Sequence, residues 1–244
     1  MRFTDKICLV TGGTSGIGQA TCLRLGAEGG TVVALGRDRA EGAETVQLIK
    51  KAGGQASFVA CELSKPRAIA ATMKKVLAKF GRIDVLICDA AMMTFEPLAE
   101  LPLSQWDVLM LVNLRAVAQL TQLCLPHMPK GSAIVAISSV HAHQTTANVV
   151  PYATSKGGLE AFVRGMSIEL DRKQTRINAV APGAVDTPML WSNPNVKSGA
   201  EQVDKASVGT SEELAAAIVF MASVDASFVH GTTLVVDGGR LARL

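Results

Sequence analysis

Short apolar runs rich in β-branched residues alternate along the chain with longer segments that carry apolar residues at helical spacing. The apolar runs cover residues 7–10, 31–35, 56–61, 85–88, 133–137, 176–181 and 232–236. Each is short and bounded by glycine, proline or polar residues, which is typical of a buried strand. Strands that alternate with helices predict an α/β fold, a doubly wound parallel sheet of about seven strands with helices on both faces. Ligands bind where the carboxyl ends of such strands meet.

Length and charge bound the class of protein. The chain has 244 residues, 48% of them hydrophobic, so residues 1–244 are expected to form a single domain with a large core. The formal charge of +3 is small and dispersed, which does not favour nucleic acid or an anionic membrane as a partner. No apolar run is expected to reach the length of a membrane span. We therefore expect small-molecule chemistry in the cytoplasm.

The five cysteines do not suggest a disulfide or metal framework. They lack CxxC spacing and lie among apolar neighbours, at positions 8, 22, 61, 88 and 124. Buried, reduced thiols are the simplest interpretation, and no metal site is expected.

The first strand leads into a glycine-rich turn, Thr11-Gly12-Gly13-Thr14-Ser15-Gly16-Ile17-Gly18, and a helix follows. Glycines let the backbone approach a pyrophosphate closely, and the amino end of the next helix offers N–H groups and a positive dipole. A plain connector is the alternative, but the position directly after a strand favours nucleotide binding. The turn lacks the Gly-Lys-Ser/Thr of a P-loop, which disfavours ATP chemistry.

The second strand ends at Gly36-Arg37, where dinucleotide folds contact the adenosine ribose. A carboxylate there accepts from both ribose hydroxyls, whereas an arginine binds a 2′-phosphate. Arg37 therefore favours NADP(H) over NAD(H), and an exposed loop arginine is the alternative. Glu62 follows the third strand and Asp89-Ala90-Ala91 the fourth, which makes them candidates for the adenosine and ribose trough.

The segment 138–158 brings reactive side chains to the same edge. Ser139 ends the fifth strand, and Pro151 favours the first position of a helix. On that helix Tyr152 and Lys156 are four residues apart and project from one face. Such a pair alone is more typical of an exposed helix, but beside a glycine turn and a serine it predicts a proton donor with a neighbouring cation.

A predicted helix at 106–125 is apolar on nearly every face, which indicates burial by other protein on more than one side. Asn113 lies in its middle, where a buried amide needs hydrogen-bond partners. It is either a core asparagine paired with a neighbouring carbonyl or a residue that opens the helix backbone and orders a water near the site. The sequence leaves both open.

Residues 187–209 lack strong periodicity and contain exposed apolar candidates, which favours a mobile lid over the site. Ser211 is expected to cap the helix that follows, with Glu212 and Glu213 in its first turn.

Together these motifs resemble the short-chain dehydrogenase/reductase family, in its branch of roughly 250 residues. The resemblance covers the whole chain and rests on TGGTSGIG at 11–18, LVNL around Asn113, ISS ending at Ser139, YATSK from Tyr152, PGAVDT at 182–187 and VDGG near the end. It implies a three-layer Rossmann-type fold and an oxidoreductase that moves hydride between a nicotinamide cofactor and an alcohol or carbonyl. NADP(H) is preferred and NAD(H) is possible.

The resemblance also implies roles for a catalytic set of Asn113, Ser139, Tyr152 and Lys156. Tyr152 would be the general acid/base, with its pKa lowered by the Lys156 ammonium together with the positive charge of the oxidised nicotinamide ring. Lys156 would also hold the nicotinamide ribose hydroxyls. Ser139 would bind the substrate oxygen, and Asn113 would hold a water that links Lys156 to solvent. The expected cofactor contacts are Gly12, Thr14, Ser15, Gly16, Ile17, Gly18, Arg37, Glu62, Leu63, Asp89, Ala90, Ala91, Tyr152, Lys156, Pro182, Gly183, Val185 and Thr187.

The chain departs from the family pattern in the adenosine trough. Cys88-Asp89-Ala90-Ala91 stands where the family often has Asn-Asn-Ala-Gly, and Glu62 stands where an aspartate is common. An ionised Asp89 beside an anionic cofactor is unfavourable unless it is protonated or paired, so we expect a local donor to compensate for it.

The substrate is less constrained. The expected pocket residues by position are Met92, Met93, His141, His143, Gln144, Thr145, Val149, Ala184, Met189 and Trp191. His141 and His143 suit a hydroxylated substrate such as a sugar or polyol, or are plain surface groups. The methionines and Trp191 equally suit a ketone with an apolar body.

Two further alternatives concern function and assembly. A protein that binds NADP(H) as a sensor, without turnover, is the main rival of an enzyme, although it has no need of a proton donor. A sugar-nucleotide epimerase usually requires a longer chain. The resemblance implies a homotetramer built through the helices at 106–125 and 151–170.

Overall fold

The computed structural model describes residues 1–199, 203–204 and 207–242. Within them, one seven-stranded sheet has the order β3-β2-β1-β4-β5-β6-β7, and all neighbouring strands are parallel. The strands are β1 Ile7–Thr11, β2 Thr31–Gly36, β3 Gln55–Ala60, β4 Val85–Cys88, β5 Ser132–Ile137, β6 Thr175–Pro182 and β7 Thr233–Val236. The predicted doubly wound α/β fold is confirmed, and each strand lies within one residue of its predicted bounds.

Helices cover both faces of the sheet. They are α1 Gly16–Ala27, α2 Arg39–Lys51, α3 Pro66–Phe80, α4 Leu103–Met110, α5 Ala116–Cys124, α6 Val150–Glu169, α7 Pro188–Ser192, α8 Pro194–Ser198 and α9 Ser211–Ala222. Successive strand residues point to opposite faces, so Leu9 joins the core with α3, α5 and α6, and Val10 joins the core with α1, α2 and α9. Because both faces are covered, the central strands β1, β4 and β5 are apolar except at a terminal Thr11 or Ser132.

The order of strands reverses beside β1, since β2 lies on one side and β4 on the other. The loops that follow β1 and β4 leave the sheet in opposite directions there, which opens a crevice at the carboxyl edge. Thr11 closes the base of this crevice, since its hydroxyl oxygen accepts from the N–H groups of Asp89 and Ala90, both at 3.1 Å.

A continuous helical segment, Leu103–His127, contains α4, a five-residue π-helix at Leu111–Arg115, α5 and a short 3₁₀ turn. An 18-residue window of this 25-residue segment reaches a mean hydropathy of 1.5, so the segment is long and apolar enough to cross a membrane by length and composition. The expectation that no run reaches this length is therefore wrong. In the structure the inward side of the segment packs on the sheet, where Val117, Leu120 and Cys124 are buried. A core helix passes the same test of length and composition.

Two predicted helix starts shift by one residue. Thr210, not Ser211, caps α9: its hydroxyl oxygen accepts from the N–H of Glu213 at 3.2 Å, and the Glu213 carboxylate accepts from the N–H of Thr210 at 2.7 Å. This reciprocal pair satisfies two N–H groups at once, and Ser211 already belongs to the helix. Pro151 takes the second position of α6, because the helix begins at Val150.

The predicted lid at 187–209 contains the short helices α7 and α8 and ends where Val185 bridges Gly209. Its residues 200–202 and 205–206 lie outside the described part of the chain. Asn195 of α8 donates to the carbonyl oxygen of Ala147 at 3.2 Å, which ties the lid to the loop between Ser139 and Tyr152.

Candidate active site

A cavity of about 820 Å³ runs along the carboxyl edge of the sheet, from the end of β2 to α7. This volume suits a sizeable ligand. All of the expected cofactor residues except Gly18 line it, as do Ser139, Tyr152 and Lys156. Gly18 lies behind the glycine turn, where a side chain would overlap the carbonyl oxygen of Gly12.

The glycine turn has the shape that a pyrophosphate requires. Gly12 and Gly16 have positive φ angles of 70° and 51°, which other residues rarely adopt. A Cβ at Gly12 would lie 2.9 Å from the backbone nitrogen of Ala90. The first turn of α1 contains no acidic residue, and Ser15 makes no side-chain cap bond there. The amino end of α1 is therefore directed toward the cavity without a local anion from its own helix, and it fits a dinucleotide phosphate.

The adenosine end of the cavity carries charges of both signs. Arg37 lines it and is exposed, and Glu62 lies across from it. Burial acts to raise the pKa of Glu62, but hydrogen bonds from Ser64 and the charges of Arg37 and Lys65 lower it overall. The Glu62 carboxylate accepts from the Ser64 hydroxyl at 2.9 Å. The Glu62 carboxylate is thus satisfied locally by Ser64, and Arg37 lines the same end of the cavity.

Sequence reasoning did not assign Asp38 and Glu41 to this end. Both line the cavity, and the Asp38 carboxylate caps α2 by accepting from the N–H groups of Ala40 at 2.7 Å and Glu41 at 2.9 Å. The signal was present, because an aspartate directly before a helical segment is a strong cap.

Three predicted catalytic side chains meet at the inner end of the cavity. Tyr152 and Lys156 project from the buried face of α6, and the Lys156 ammonium nitrogen lies 5.4 Å from the centre of the Tyr152 ring. The same nitrogen donates to the carbonyl oxygen of Ile137 at 2.6 Å. Ser139 makes a side-chain hydrogen bond with Tyr152. His141 packs edge-on against the Tyr152 ring, with 5.7 Å between ring centres.

Burial dominates the ionisation of this group. It raises the pKa of Tyr152 to about 12, against the hydrogen bond from Ser139 and with a smaller contribution from Asp89. It lowers the pKa of Lys156 to about 8, against the charges of Asp89 and Cys88. Desolvation therefore decides the direction of the Tyr152 pKa shift. A pKa lowered by Lys156 together with an oxidised nicotinamide ring stays a prediction for the complex with the cofactor. Tyr152 is held as a neutral phenol, the form that donates a proton.

Asn113 lies within the π-helix and is 1% exposed. Its side-chain oxygen accepts from the N–H of Met92 at 2.9 Å, and its nitrogen donates to the carbonyl oxygen of Met92 at 2.9 Å and to the Ser155 hydroxyl at 3.1 Å. The amide pairs with a carbonyl, as the first interpretation expects, and it lies in a π-helix rather than in a regular α-helix. The ordered water stays a prediction. Asn113 does not line the cavity but fixes the loop after β4 to α6.

The expected substrate residues divide into two groups. Met92, Met93, His141, Ala184 and Met189 line the cavity. His143, Gln144, Thr145, Val149 and Trp191 do not.

Specific contacts explain the exclusions. His143 pairs with Glu160 at 3.2 Å, Thr145 bonds to His141 at 3.0 Å, and the Trp191 indole donates to Asp186 at 2.6 Å. Val149 is fully buried against Tyr152 and Leu109.

The Glu160 carboxylate was also missed. It is buried four residues after Lys156, accepts from the Ser138 hydroxyl at 2.8 Å and faces His143. Its helical spacing from Lys156 placed it on the same buried face. Other cavity residues without a prior assignment include Val112, Val140, Pro188, Leu190, Asn193 and Arg240. Among the described residues, no group of three or more His, Cys, Asp or Glu side chains could hold a metal ion.

Comparison with known proteins gives one consistent result. Residues 12–240 match the family model described as Enoyl-(Acyl carrier protein) reductase. The 3-oxoacyl-[acyl-carrier-protein] reductase FabG of Thermotoga maritima is 35% identical over 98% of this chain and 99% of that protein. The cis-4-hydroxycyclohexanecarboxylate dehydrogenase of Sinomonas cyclohexanicum is 37% identical over 98% of each chain.

Among solved structures, the angucycline C-6 ketoreductase LanV with bound NADP superposes with a TM-score of 0.91. It is 30% identical, and the match covers 99% of this chain and 98% of that chain. With the fold, the cavity and the family model in agreement over nearly the whole length, the chain belongs to the short-chain dehydrogenase/reductase family of oxidoreductases.

Proposed function

We propose that the chain is an NADP(H)-preferring alcohol dehydrogenase or ketone reductase in which Tyr152 transfers the proton. The observation that carries this proposal is the contact set around Tyr152: Ser139 bonded to it, Lys156 5.4 Å from its ring, and all three lining one cavity with the glycine turn. A binding protein that senses NADP(H) has no need of this arrangement.

The residues present fit a nicotinamide dinucleotide. The turn at 12–17 would hold the pyrophosphate, Arg37 a 2′-phosphate, and Glu62, Leu63 and residues 89–91 the adenosine half. Lys156 would bind the nicotinamide ribose, and residues 182–187 would line the carboxamide. A Cβ at Gly183 would lie 2.8 Å from Asp237, so glycine lets the end of β6 pack against the chain that follows β7. When bound, the nicotinamide supplies or accepts the hydride.

The chain's own residues would manage the proton. A neutral Tyr152 donates its phenolic proton to the substrate oxygen as negative charge develops there. The Lys156 ammonium stabilises the tyrosinate that is left, and Ser139 donates a hydrogen bond to the same substrate oxygen. In the oxidation direction the roles reverse, and Tyr152 accepts the alcohol proton. Asn113 would position Met92 and α6 without touching the reacting atoms.

The cavity wall favours a substrate with an apolar body. Met92, Met93 and Met189 line it, whereas His143 is engaged by Glu160. Methionine is adaptable and suits irregular apolar surfaces. Two of the relatives named above act on or are named for ring compounds, a hydroxycyclohexane acid and an angucycline. We infer a cyclic secondary alcohol or its ketone, rather than a sugar or polyol.

A spectrophotometric screen tests this proposal. Cyclic ketones and alcohols, open-chain analogues, sugars and polyols are assayed with NADP(H) and NAD(H). We expect turnover of cyclic ketones with NADPH and no turnover of sugars. Preference for a sugar would overturn the substrate assignment. Silence across the panel, with dinucleotide binding retained, would support the sensor instead.

We also infer self-association through a groove between the 103–127 segment and α6. It is lined by Asp107, Met110, Leu111, Leu114, Arg115, Ala118, Gly158 and Phe162. A Cβ at Gly158 would lie 3.2 Å from Leu114, so a small residue keeps the groove open. A homotetramer is expected by size-exclusion chromatography, and Gly158→Arg should reduce its size. A wild-type monomer would contradict it. All five cysteines are buried and free, which agrees with the cytoplasmic location that we propose.

A further inference from the structure

Asp89 introduces a carboxyl group into the wall of a cavity that otherwise suits a polyanion. It follows β4 and lies behind the glycine turn, where a Cβ at Gly12 would be 3.0 Å from its Oδ2 and a Cβ at Gly18 would be 2.7 Å from it. The N–H of Gly18 donates to the same carboxyl group. One N–H group at the amino end of α1 is thus directed to Asp89, in the region that would hold the pyrophosphate.

The titratable groups that face Asp89 come from three elements. Lys156 and Tyr152 face it from α6, Cys22 from α1 and Cys88 from its own strand. Lys156 supplies the positive charge among them, and its ammonium is already bonded to Ile137 at 2.6 Å. Burial raises the pKa of Asp89 to about 7, against the opposing effects of Lys156 and the Gly18 N–H. Near neutral pH the carboxyl group is divided between its two forms.

Resting on the dinucleotide binding proposed above, we propose that Asp89 takes up a proton from solvent when NADP(H) or NAD(H) binds. The pyrophosphate brings negative charge to the same helix end that serves the Asp89 carboxylate, and like charges disfavour the ionised form. A protonated carboxyl keeps the same shape and removes the repulsion. Because linkage is reciprocal, the affinity for the dinucleotide must fall as Asp89 ionises.

Infrared difference spectroscopy reads this proton directly. At about pH 7, addition of NADP⁺ or NADPH to the wild type should increase the carbonyl stretch of a protonated carboxylic acid, and Asp89→Asn should lose that signal. Calorimetric titration in two buffers of different ionisation heat should show net proton uptake by the wild type. Between about pH 6 and about pH 9 the Kd of the wild type should rise about threefold to tenfold more than that of Asp89→Asn, in which Lys156 still titrates but Asp89 does not.

Glu44→Gln is the matched control, since Glu44 is an exposed carboxylate on α2 that does not line the cavity. It should keep the infrared signal. This inference is overturned if the wild type binds the dinucleotide without the carboxyl signal, or if Asp89→Asn takes up as many protons as the wild type. Either result leaves the proposed function intact. Failure of the wild type to bind either dinucleotide overturns the proposed function as well.

Discussion

His143 Nε2 lies 3.2 Å from Glu160 Oε1, which joins the loop after Ser139 to the buried face of α6. Glu160 also accepts from Ser138 at 2.8 Å, so a single carboxylate holds the residue before Ser139 and the loop that follows it. Its side chain is 6% exposed, and loss of a partner would leave a buried acceptor less satisfied. The relationship bears on catalysis through Ser139 and His141, which this loop positions at the cavity.

We expect His143→Ala to lower kcat/KM about fivefold to tenfold, mainly by raising the KM of the carbonyl substrate, and to lower stability by about 1 kcal/mol. The Kd of NADPH should be unchanged, because the cofactor trough lies elsewhere. Gln144→Ala is the control, since Gln144 is exposed and does not line the cavity. Steady-state kinetics and thermal unfolding measure both effects. Equal kcat/KM and equal stability in His143→Ala and Gln144→Ala would show that the contact between His143 and Glu160 does not position the loop.

Tyr152→Phe should remove the proton donor while keeping the ring that packs against His141 and Val149. Turnover should fall by about a factor of 10² to 10⁴, with the Kd of NADPH changed less than about twofold. Stopped-flow measurement of a single turnover separates the chemical step from product release. Rates close to those of the wild type would rule out Tyr152 as the acid/base.

Lys156→Met should alter the pH dependence of stability. The folded-state pKa of Lys156 is lowered from 10.5 to about 8, so the cost of burying the charged amine is full below about pH 8 and disappears as the pH rises to 10.5. The difference in free energy of unfolding between Lys156→Met and the wild type should therefore favour the variant more at pH 7 than at pH 10.5. The change in this difference should be up to roughly 3 kcal/mol. Urea unfolding at both values measures this difference. A gap that does not depend on pH would show that the amine is not desolvated.

Arg37→Asp should reverse the preference for NADP over NAD, because the guanidinium is replaced by a carboxylate suited to ribose hydroxyls. Asp38→Ser should raise the preference for NADP, since serine keeps the cap of α2 and removes a negative charge from the cavity wall. Ratios of kcat/KM with the two cofactors report both changes. Unchanged ratios in Arg37→Asp would dismiss Arg37 as the determinant.

Gly18→Ala should disrupt the glycine turn, because a Cβ there would overlap the carbonyl oxygen of Gly12 and lie 2.7 Å from Asp89. The Kd of NADPH should rise at least about tenfold, with a loss of roughly 2 kcal/mol of stability. Gly165→Ala in α6 is the control, since nothing lies within 4 Å of its Cβ position, and helix propensity favours alanine by about 1 kcal/mol. Retained cofactor affinity in Gly18→Ala would show that the turn adapts.

The sheet and most helices followed from the hydrophobic pattern because the central strands are buried on both faces and most breaks are marked by glycine or proline. The sequence also predicted which residues lie at the carboxyl edge of the sheet, because the topology alone brings Gly12, Ser139 and Tyr152 to that edge. What could not be predicted depends on side-chain direction within loops. His143 and Trp191 are close in sequence to residues that line the cavity. Their polar atoms instead contact Glu160 and Asp186.

The direction of the Tyr152 pKa shift depends on burial as well as on neighbouring charge. Position alone suggested a nearby cation, whereas the outcome depends on how deeply both groups are buried. The depth of burial is set by the whole fold, including the 103–127 segment, so it cannot be predicted from a short sequence motif.

The π-helix at Leu111–Arg115 changes what its helix can reach. Leu109 and Ala116 are seven residues apart, so in an unbroken α-helix they would share a face, since each residue turns the helix by about 100°. Here Leu109 packs beside Tyr152, while Ala116 joins the core beneath the sheet. One extra residue in a single turn rotates the second half relative to the first. Deleting one residue from 111–115 should therefore remove either the packing of Leu109 beside Tyr152 or the packing of α5 on β4. No point substitution could restore both.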